Sequence, residues 1–313
     1  MEALASRGLH VRAMAQYNSF GTRGWLDALG PEVLAGVDVV LADVRDARAV
    51  HEFMRDASVV YHLAALIGIP YSYRAPRSYV ETNAMGTLNV LEAARDLETP
   101  RVVHTSTSEV YGTARSVPID EGHPLTGQSP YSASKIAADK LAESYHLSFG
   151  LPVATLRPFN TFGPRQSARA VIPTIITQLT AGRTDLRLGS LTPTRDFTFV
   201  ADTAAAFVAV GTAPAASVVG RTLNAGTGRE ISIGDLVTMI GAMMDRPARA
   251  IADEQRIRPD DSEVMRLVCD ASALRAATGW QPEHSLEDGL RTTVEWFSDA
   301  DHLARYRSDE YHV

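Results

Sequence analysis

A rhythm of short apolar runs constrains this chain more than anything else in it. Val37–Leu41, Val59–Leu63, Arg101–Ser106 and Val153–Arg157 are rich in β-branched residues and lack a polar alternate face. Strands buried on both sides read this way, as in a parallel sheet covered by helices. Helical stretches fall between them, at Arg48–Arg55, Asn83–Asp96 and Ser132–Phe149. Alternation of this kind predicts an α/β fold with a doubly wound parallel sheet. After Pro164 the rhythm turns irregular, with helices predicted near Ile172–Thr180, Ile233–Met244 and Ala271–Thr278. The expected organisation is a sheet domain over 1–165 and a smaller, mainly substrate-binding domain over 166–313. Residues 197–228 are expected to return to the first sheet, through Phe197–Val210 and a strand at Thr222–Ala225.

Composition narrows the functional classes. With 313 residues and a net charge of −7, the chain lacks the basic excess of a non-specific nucleic-acid or membrane binder. Its single cysteine, Cys269, excludes an intrachain disulfide or thiolate metal cluster and suits a reducing cytoplasm. We read Cys269 as a small core hydrophobe. No apolar run approaches the ~18–20 residues of a membrane span, and no signal-peptide pattern opens the chain. The expectation is a cytoplasmic protein with neither nucleic-acid nor membrane partners. The nine histidines show no ligand spacing such as HExxH, so no metal site is expected. His104, inside a predicted buried strand, reads as a satisfied core residue.

The strongest chemical signal is "YSASK", with Tyr131 and Lys135 one turn apart on one helix face. A neighbouring ammonium favours phenolate and would lower the Tyr131 pKa towards neutrality, making it a usable base. The bare pattern is compatible with surface decoration; its context is not. The strand Arg101–Thr105 runs directly into "STSEVYG", Ser106–Gly112, and ligands gather at the carboxyl ends of strands in open α/β sheets. A hydroxyl there can hold the substrate oxygen whose proton Tyr131 takes. Tyr71 and Tyr73 could line a sugar pocket or simply pack.

At this point the chain resembles the extended short-chain dehydrogenase/reductases, the NAD-dependent epimerase/dehydratase family acting on nucleotide sugars. The resemblance runs through "DVRD" (Asp43–Asp46), "HLAA" (His62–Ala65), "ETNAMGTLNVLEAA" (Glu81–Ala94), "RPFNTFGPRQ" (Arg157–Gln166), "TRDFTFVAD" (Thr194–Asp202) and "NAGTG" (Asn224–Gly228). It implies a Rossmann-type domain with NAD as cofactor. Asp43 and Val44 would contact the adenine, while Leu63, Ala64, Ala65, Asn83 and Ser106 would line the cofactor. Thr107, Tyr131 and Lys135 would form the catalytic trio, with Tyr131 and Lys135 also touching the cofactor. Pro158 and Asn160 would flank nicotinamide and substrate, and Arg195 and Arg258 would grip a substrate diphosphate, which suits the bidentate guanidinium fork. Without the resemblance, either arginine reads as a surface ion pair. A homodimer is also implied, sharing Asn83–Asp96 and Ser132–Phe149.

Glu109 discriminates within the family. A 4-epimerase needs no second base near C5, whereas a 4,6-dehydratase does. Ser108 departs from the aspartate common in dTDP-glucose dehydratases, and a serine hydroxyl is a poor acid, so Glu109 or a relayed water must protonate the leaving hydroxyl. UDP-glucuronate decarboxylases share the Ser-Glu pair and remain the competitor. The stretches Tyr17–Asp27, Asn160–Gln178, Leu188–Phe197 and Asp253–Leu267, with the tail "YRSDEYHV", resemble bacterial UDP-N-acetylglucosamine 4,6-dehydratases of the legionaminic-acid type. The favoured activity is therefore a nucleotide-sugar 4,6-dehydratase, with decarboxylase or 4-epimerase as alternatives and a non-catalytic sugar-nucleotide-binding protein as the rival class.

Cofactor choice is less marked. Met14–Asn18, where a ribose-binding acid is often found, contains no carboxylate, and NADP stays open beside NAD. Glu2–Arg7 reads as the last turns of a helix, Gly8 as its cap and Leu9–Ala15 as a strand. In the family a strand and a GxxGxxG turn, roughly 15 residues, precede such a helix and cradle the pyrophosphate. We expect an internal start, with that strand pairing the Leu9 and Arg101 strands, and crippled NAD binding in a chain lacking it.

Overall fold

A computed structural model of the chain describes residues 1–306. The end of the "YRSDEYHV" stretch, beyond Tyr306, lies outside the described residues. Strands β1 (Val11–Gln16) and β2 (Val37–Ala42) pair in parallel, Val11 opposite Val37. Strands β3 (Val60–His62), β4 (Val102–Thr105) and β5 (Val153–Pro158) form a second parallel array, extended beyond β5 by Thr222–Ala225. The α/β alternation in the sequence is thus the observed architecture, with helices Ala47–Met54, Gly86–Asp96 and Pro130–Phe149 between the strands.

Three expectations are corrected. The Arg101 strand was expected to border a missing partner, but β4 is bonded on both sides, and the outer strand of the larger sheet is β3. Val37–Leu41 was expected to be covered on both faces, yet Val40 is 38% and Leu41 44% exposed. The reason is that β2 pairs only with β1, and the larger sheet shares no ladder with these two among the described residues. Finally, Thr222–Ala225 does join the main sheet, but Phe197–Phe199 pairs with Asn160–Phe162 instead. The helix that follows, Val200–Thr212, packs on β4 and β5.

The interior is divided between apolar clusters. One spans β4, β5 and the Val200–Thr212 helix around Val103, Leu156, Phe159 and Leu223. Another gathers Phe162 of the strand Asn160–Phe162 with Ile176, Leu236, Leu290 and Phe297 from helices Val171–Thr180, Ile233–Met243 and Leu286–Ser298. No described helix is long and apolar enough to cross a membrane.

Local chemistry sets the elements that build the site. The Pro130–Phe149 helix starts at a reciprocal capping box: Ser129 Oγ accepts from Ser132 N at 3.1 Å and Ser129 N donates to Ser132 Oγ at 3.0 Å. Pro130 sits in its first turn, where no amide donor is needed. Gly150 closes it at φ 67°, a left-handed cap suited to glycine. Tyr131 and Lys135 are thereby held in the first two turns, facing the carboxyl end of β4. The segment before Gly86 is not α-helical as expected: Val80–Met85 is a π turn, a form that often marks functional positions. Gly86 lets this helix approach the end of β2, because a Cβ there would lie 2.8 Å from Val44 Cγ1.

Candidate active site

Tyr131 is 7% exposed, and its phenol is hydrogen-bonded by the Thr107 hydroxyl. Thr107 also caps the short turn Ser108–Tyr111, its Oγ1 accepting from Glu109 N at 3.2 Å. This cap holds the Glu109 backbone, and the Glu109 charge acts on both Tyr131 and Arg195. Ser108 is buried at 2% exposure.

The expected effect of Lys135 on Tyr131 is not what the structure shows. Lys135 Nζ donates to the Thr105 carbonyl at 2.6 Å. Burial, assisted by the Glu109 charge, pushes the phenol well above its ordinary value, and the Thr107 bond only partly opposes this. Burial also pulls the Lys135 ammonium down to about 8, with Asp139 opposing. Desolvation outweighs the mutual influence of the pair.

Beneath them lies a network that sequence reasoning missed. Asp139, 4% exposed, accepts from His104 Nε2 at 3.0 Å, from Ser106 Oγ at 2.6 Å and from Arg157 Nη2 at 2.9 Å. Arg157 continues to the Tyr111 hydroxyl at 3.0 Å, which donates to Asn224 Oδ1 at 2.7 Å. These donors hold the Asp139 carboxyl at about 2 against the penalty of burial. Burial holds His104 neutral, and its bond to a carboxylate places the proton on Nε2. His104 Nδ1 is buried without a partner, so this histidine is only half satisfied. Ser106, expected beside the cofactor, spends its hydroxyl on Asp139. The available signal was Asp139 itself, four residues after Lys135 on the same helix face.

Asn83 is likewise a strut. Its side chain accepts from Leu66 N at 2.8 Å and donates to Leu66 O at 2.9 Å and Ser134 Oγ at 2.9 Å. It ties the loop after β3 to the Pro130–Phe149 helix and leaves Leu63 and Ala64 exposed. Asp43, after β2, pairs with Arg45 at 2.5 Å, while Val44 is buried. Pro158 ends β5 with intermediate exposure, and Asn160 Oδ1 is buried and unpartnered. Arg195 and Arg258, predicted from distant stretches, come together: both approach Glu263 Oε1, at 3.3 and 3.4 Å. Tyr73 bonds Ser262 Oγ at 2.6 Å, so it anchors the segment that carries Glu263. Cys269 is buried, and its thiol is pushed well up by that burial.

Fold and site together define an α/β sheet protein that gathers Thr107, Tyr131 and Lys135 at the carboxyl end of β4. A family model described as GDP-mannose 4,6 dehydratase matches residues 1–293. The chain is 36% identical over 265 residues to a UDP-glucose 4-epimerase of Mycolicibacterium smegmatis, covering 83% of this chain and 81% of that protein. It is 31% identical over 316 residues to a dTDP-glucose 4,6-dehydratase of Xanthomonas campestris pv. campestris, covering 93% and 87%. Among solved structures it is similar to the dTDP-glucose 4,6-dehydratase DesIV of Streptomyces venezuelae with NAD bound, at TM-score 0.81 and 29% identity over 92% of this chain and 87% of that one. The chain belongs to the NAD-dependent epimerase/dehydratase family of extended short-chain dehydrogenase/reductases. Both dehydratases and epimerases are among its relatives.

Proposed function

We propose that the chain is a nucleotide-sugar 4,6-dehydratase, acting on UDP-N-acetylglucosamine or a related nucleoside-diphosphate hexose. The observation that carries this reading is Glu109, whose backbone amide donates to Thr107 and whose charge acts on the Tyr131 phenol. A 4-epimerase has no use for such a second base. The relatives named dTDP-glucose 4,6-dehydratase support it, while the Mycolicibacterium relative favours 4-epimerisation as the second reading.

The residues present suit NAD. Exposed Leu63 and Ala64 and the partly covered Ala65 end a strand held by Asn83. Asp43 flanks them after β2, and the orphaned Asn160 Oδ1 is buried beyond β5. NAD, when bound, supplies a hydride acceptor and later a donor. Asp43 and Val44 would hold its adenosine, and Leu63–Ala65, Lys135 and Pro158 its nicotinamide half. Tyr131 takes the C4 hydroxyl proton while Thr107 orients that oxygen. The resulting ketone acidifies C5, where Glu109 removes the proton. Ser108 is buried and a poor acid, so Glu109 returns the proton to the departing C6 hydroxyl and water leaves. Arg195 and Arg258 would hold the diphosphate. Homodimerisation, through helices bearing the exposed Met85 and Leu147, belongs to the same reading.

Incubation with UDP-N-acetylglucosamine and NAD is expected to give a 4-keto-6-deoxy sugar. Glu109→Gln should lower its formation about 100-fold, the scale of one general base. Loss of all 4-keto product across UDP- and dTDP-hexoses would sink the dehydratase, CO2 from UDP-glucuronate would install the decarboxylase, and C4 epimerisation indifferent to Glu109→Gln would install the epimerase.

The pair also predicts a pH profile. Phenolate beside ammonium and phenol beside neutral amine carry the same number of protons. The reactive form therefore grows with pH only until the pair loses its first proton, near about 8. Measured from about pH 6 to 10, kcat/KM should rise and then level off, and Lys135→Arg should carry the rise to higher pH. A flat profile below the plateau would contradict the coupling.

A further inference from the structure

The two arginines of the proposed clamp do not simply point at solvent. Arg195, 6% exposed, comes from the short strand Thr194–Arg195, and Arg258 from the segment that leads to Ser262. Both meet one oxygen: Glu263 Oε1 stands 3.3 Å from Arg195 Nη2 and 3.4 Å from Arg258 Nη1. These are single, long contacts, whereas a committed guanidinium–carboxylate fork is bidentate and nearer ~2.7–2.9 Å. Glu263 takes one long contact from each guanidinium, while Arg195 Nη1 donates to the Thr194 carbonyl at 2.9 Å. Its position is imposed by its neighbours. Ser262 Oγ donates to the Gln128 carbonyl at 2.5 Å, Gln128 Nε2 donates to Asp261 O at 2.8 Å, and Tyr73 bonds Ser262.

The local charges nearly cancel. Burial weakens the proton hold of Arg195, Arg258 adds to that, and Glu109 and Glu263 oppose it. Two cations thus face two carboxylates. A nucleoside diphosphate arriving on the same guanidiniums adds further negative charge beside Glu263, and like charges held together in a partly buried site repel.

We infer that Glu263 is a positioning residue that serves as an internal counter-anion for Arg195 and Arg258 and competes with the substrate diphosphate, setting its affinity. This rests on the clamp assigned above. By weakening the hold on diphosphate, Glu263 also favours release of a product that carries the same diphosphate.

The test uses the full chain and titration calorimetry with UDP, with dTDP in parallel, against uridine and thymidine. Glu263→Gln should tighten diphosphate binding about tenfold, the size of one modest like-charge contact, and leave nucleoside binding unchanged. Its unfolding midpoint should fall, because Arg195 loses a compensating charge. Glu263→Asp, which withdraws the carboxylate by one methylene, should tighten binding by an intermediate factor, and it decides the matter if the Gln variant does not fold. Unchanged or weaker diphosphate binding in the variants would overturn the inference and make Glu263 a strut that orients the arginines. Arg258→Ala in the otherwise unaltered chain should weaken UDP and dTDP binding. If it does not, the clamp itself fails, and the competition with it.

Discussion

Tyr131→Phe is expected to lower turnover by about 10³-fold, within the range that a positioned general acid–base contributes. The substitution keeps the ring that packs edge-on against Tyr79 at 6.2 Å and removes only the hydroxyl that Thr107 holds. Nucleotide-sugar binding by titration should stay near wild type, because the phenol grips no phosphate. Stability should change by about 1 kcal/mol, the scale of one hydrogen bond. Turnover within tenfold of wild type would remove Tyr131 from the chemistry. Phenylalanine carries no ionisable group, so raising the pH should not restore turnover.

Asp139→Ala should destabilise the protein by about 3–5 kcal/mol, the cost of leaving a buried partner charge uncompensated. Arg157 would lose its carboxylate, His104 the partner of its Nε2, and Ser106 its acceptor. Denaturant titration measures this directly, and a loss below about 1 kcal/mol would show that water replaces the carboxylate. The pH dependence has a definite sign. Asp139 is depressed from 3.8 to about 2 on folding, so its contribution is complete above the unfolded value and lost as pH falls through the folded one. Acid unfolding in that window should be blunted in Asp139→Asn. The same variant should shift the rise of kcat/KM to lower pH, because Asp139 raises the proton affinity of Lys135.

Much of the architecture was legible because it rests on local patterns. Apolar β-branched runs located β2 to β5, and the helical stretch read at Ser132–Phe149 falls within the Pro130–Phe149 helix. The helix Leu286–Ser298 was overlooked, although Ser285 caps it through Asp288 N at 3.0 Å and its apolar positions recur at helical spacing. That signal was in the chain and unread. The π turn at Val80–Met85 was not legible, because its backbone follows from packing against the Pro130–Phe149 helix rather than from propensity. The partner of Phe197–Phe199 was not legible either: a three-residue apolar strand suits any sheet that offers a register.

The site divides in the same way. Tyr131 and Lys135 could be named from spacing, and Thr107 and Glu109 from the strand end and the family resemblance, because short segments fix their directions. The protonation of the pair could not. It depends on desolvation, since burial raises the phenol and lowers the ammonium, and spacing carries no measure of burial. Asp139 became an ionic hub only when β4, β5 and the catalytic helix brought His104, Ser106 and Arg157 to its two oxygens. Arg195, Arg258 and Glu263 share one oxygen although 68 residues separate the first from the last. Residue order sufficed for the α/β alternation and for the family, because the patterns that carry both are local. Tertiary structure alone decided charge states and counter-ions, because these depend on distance and dielectric, to which sequence separation gives no measure.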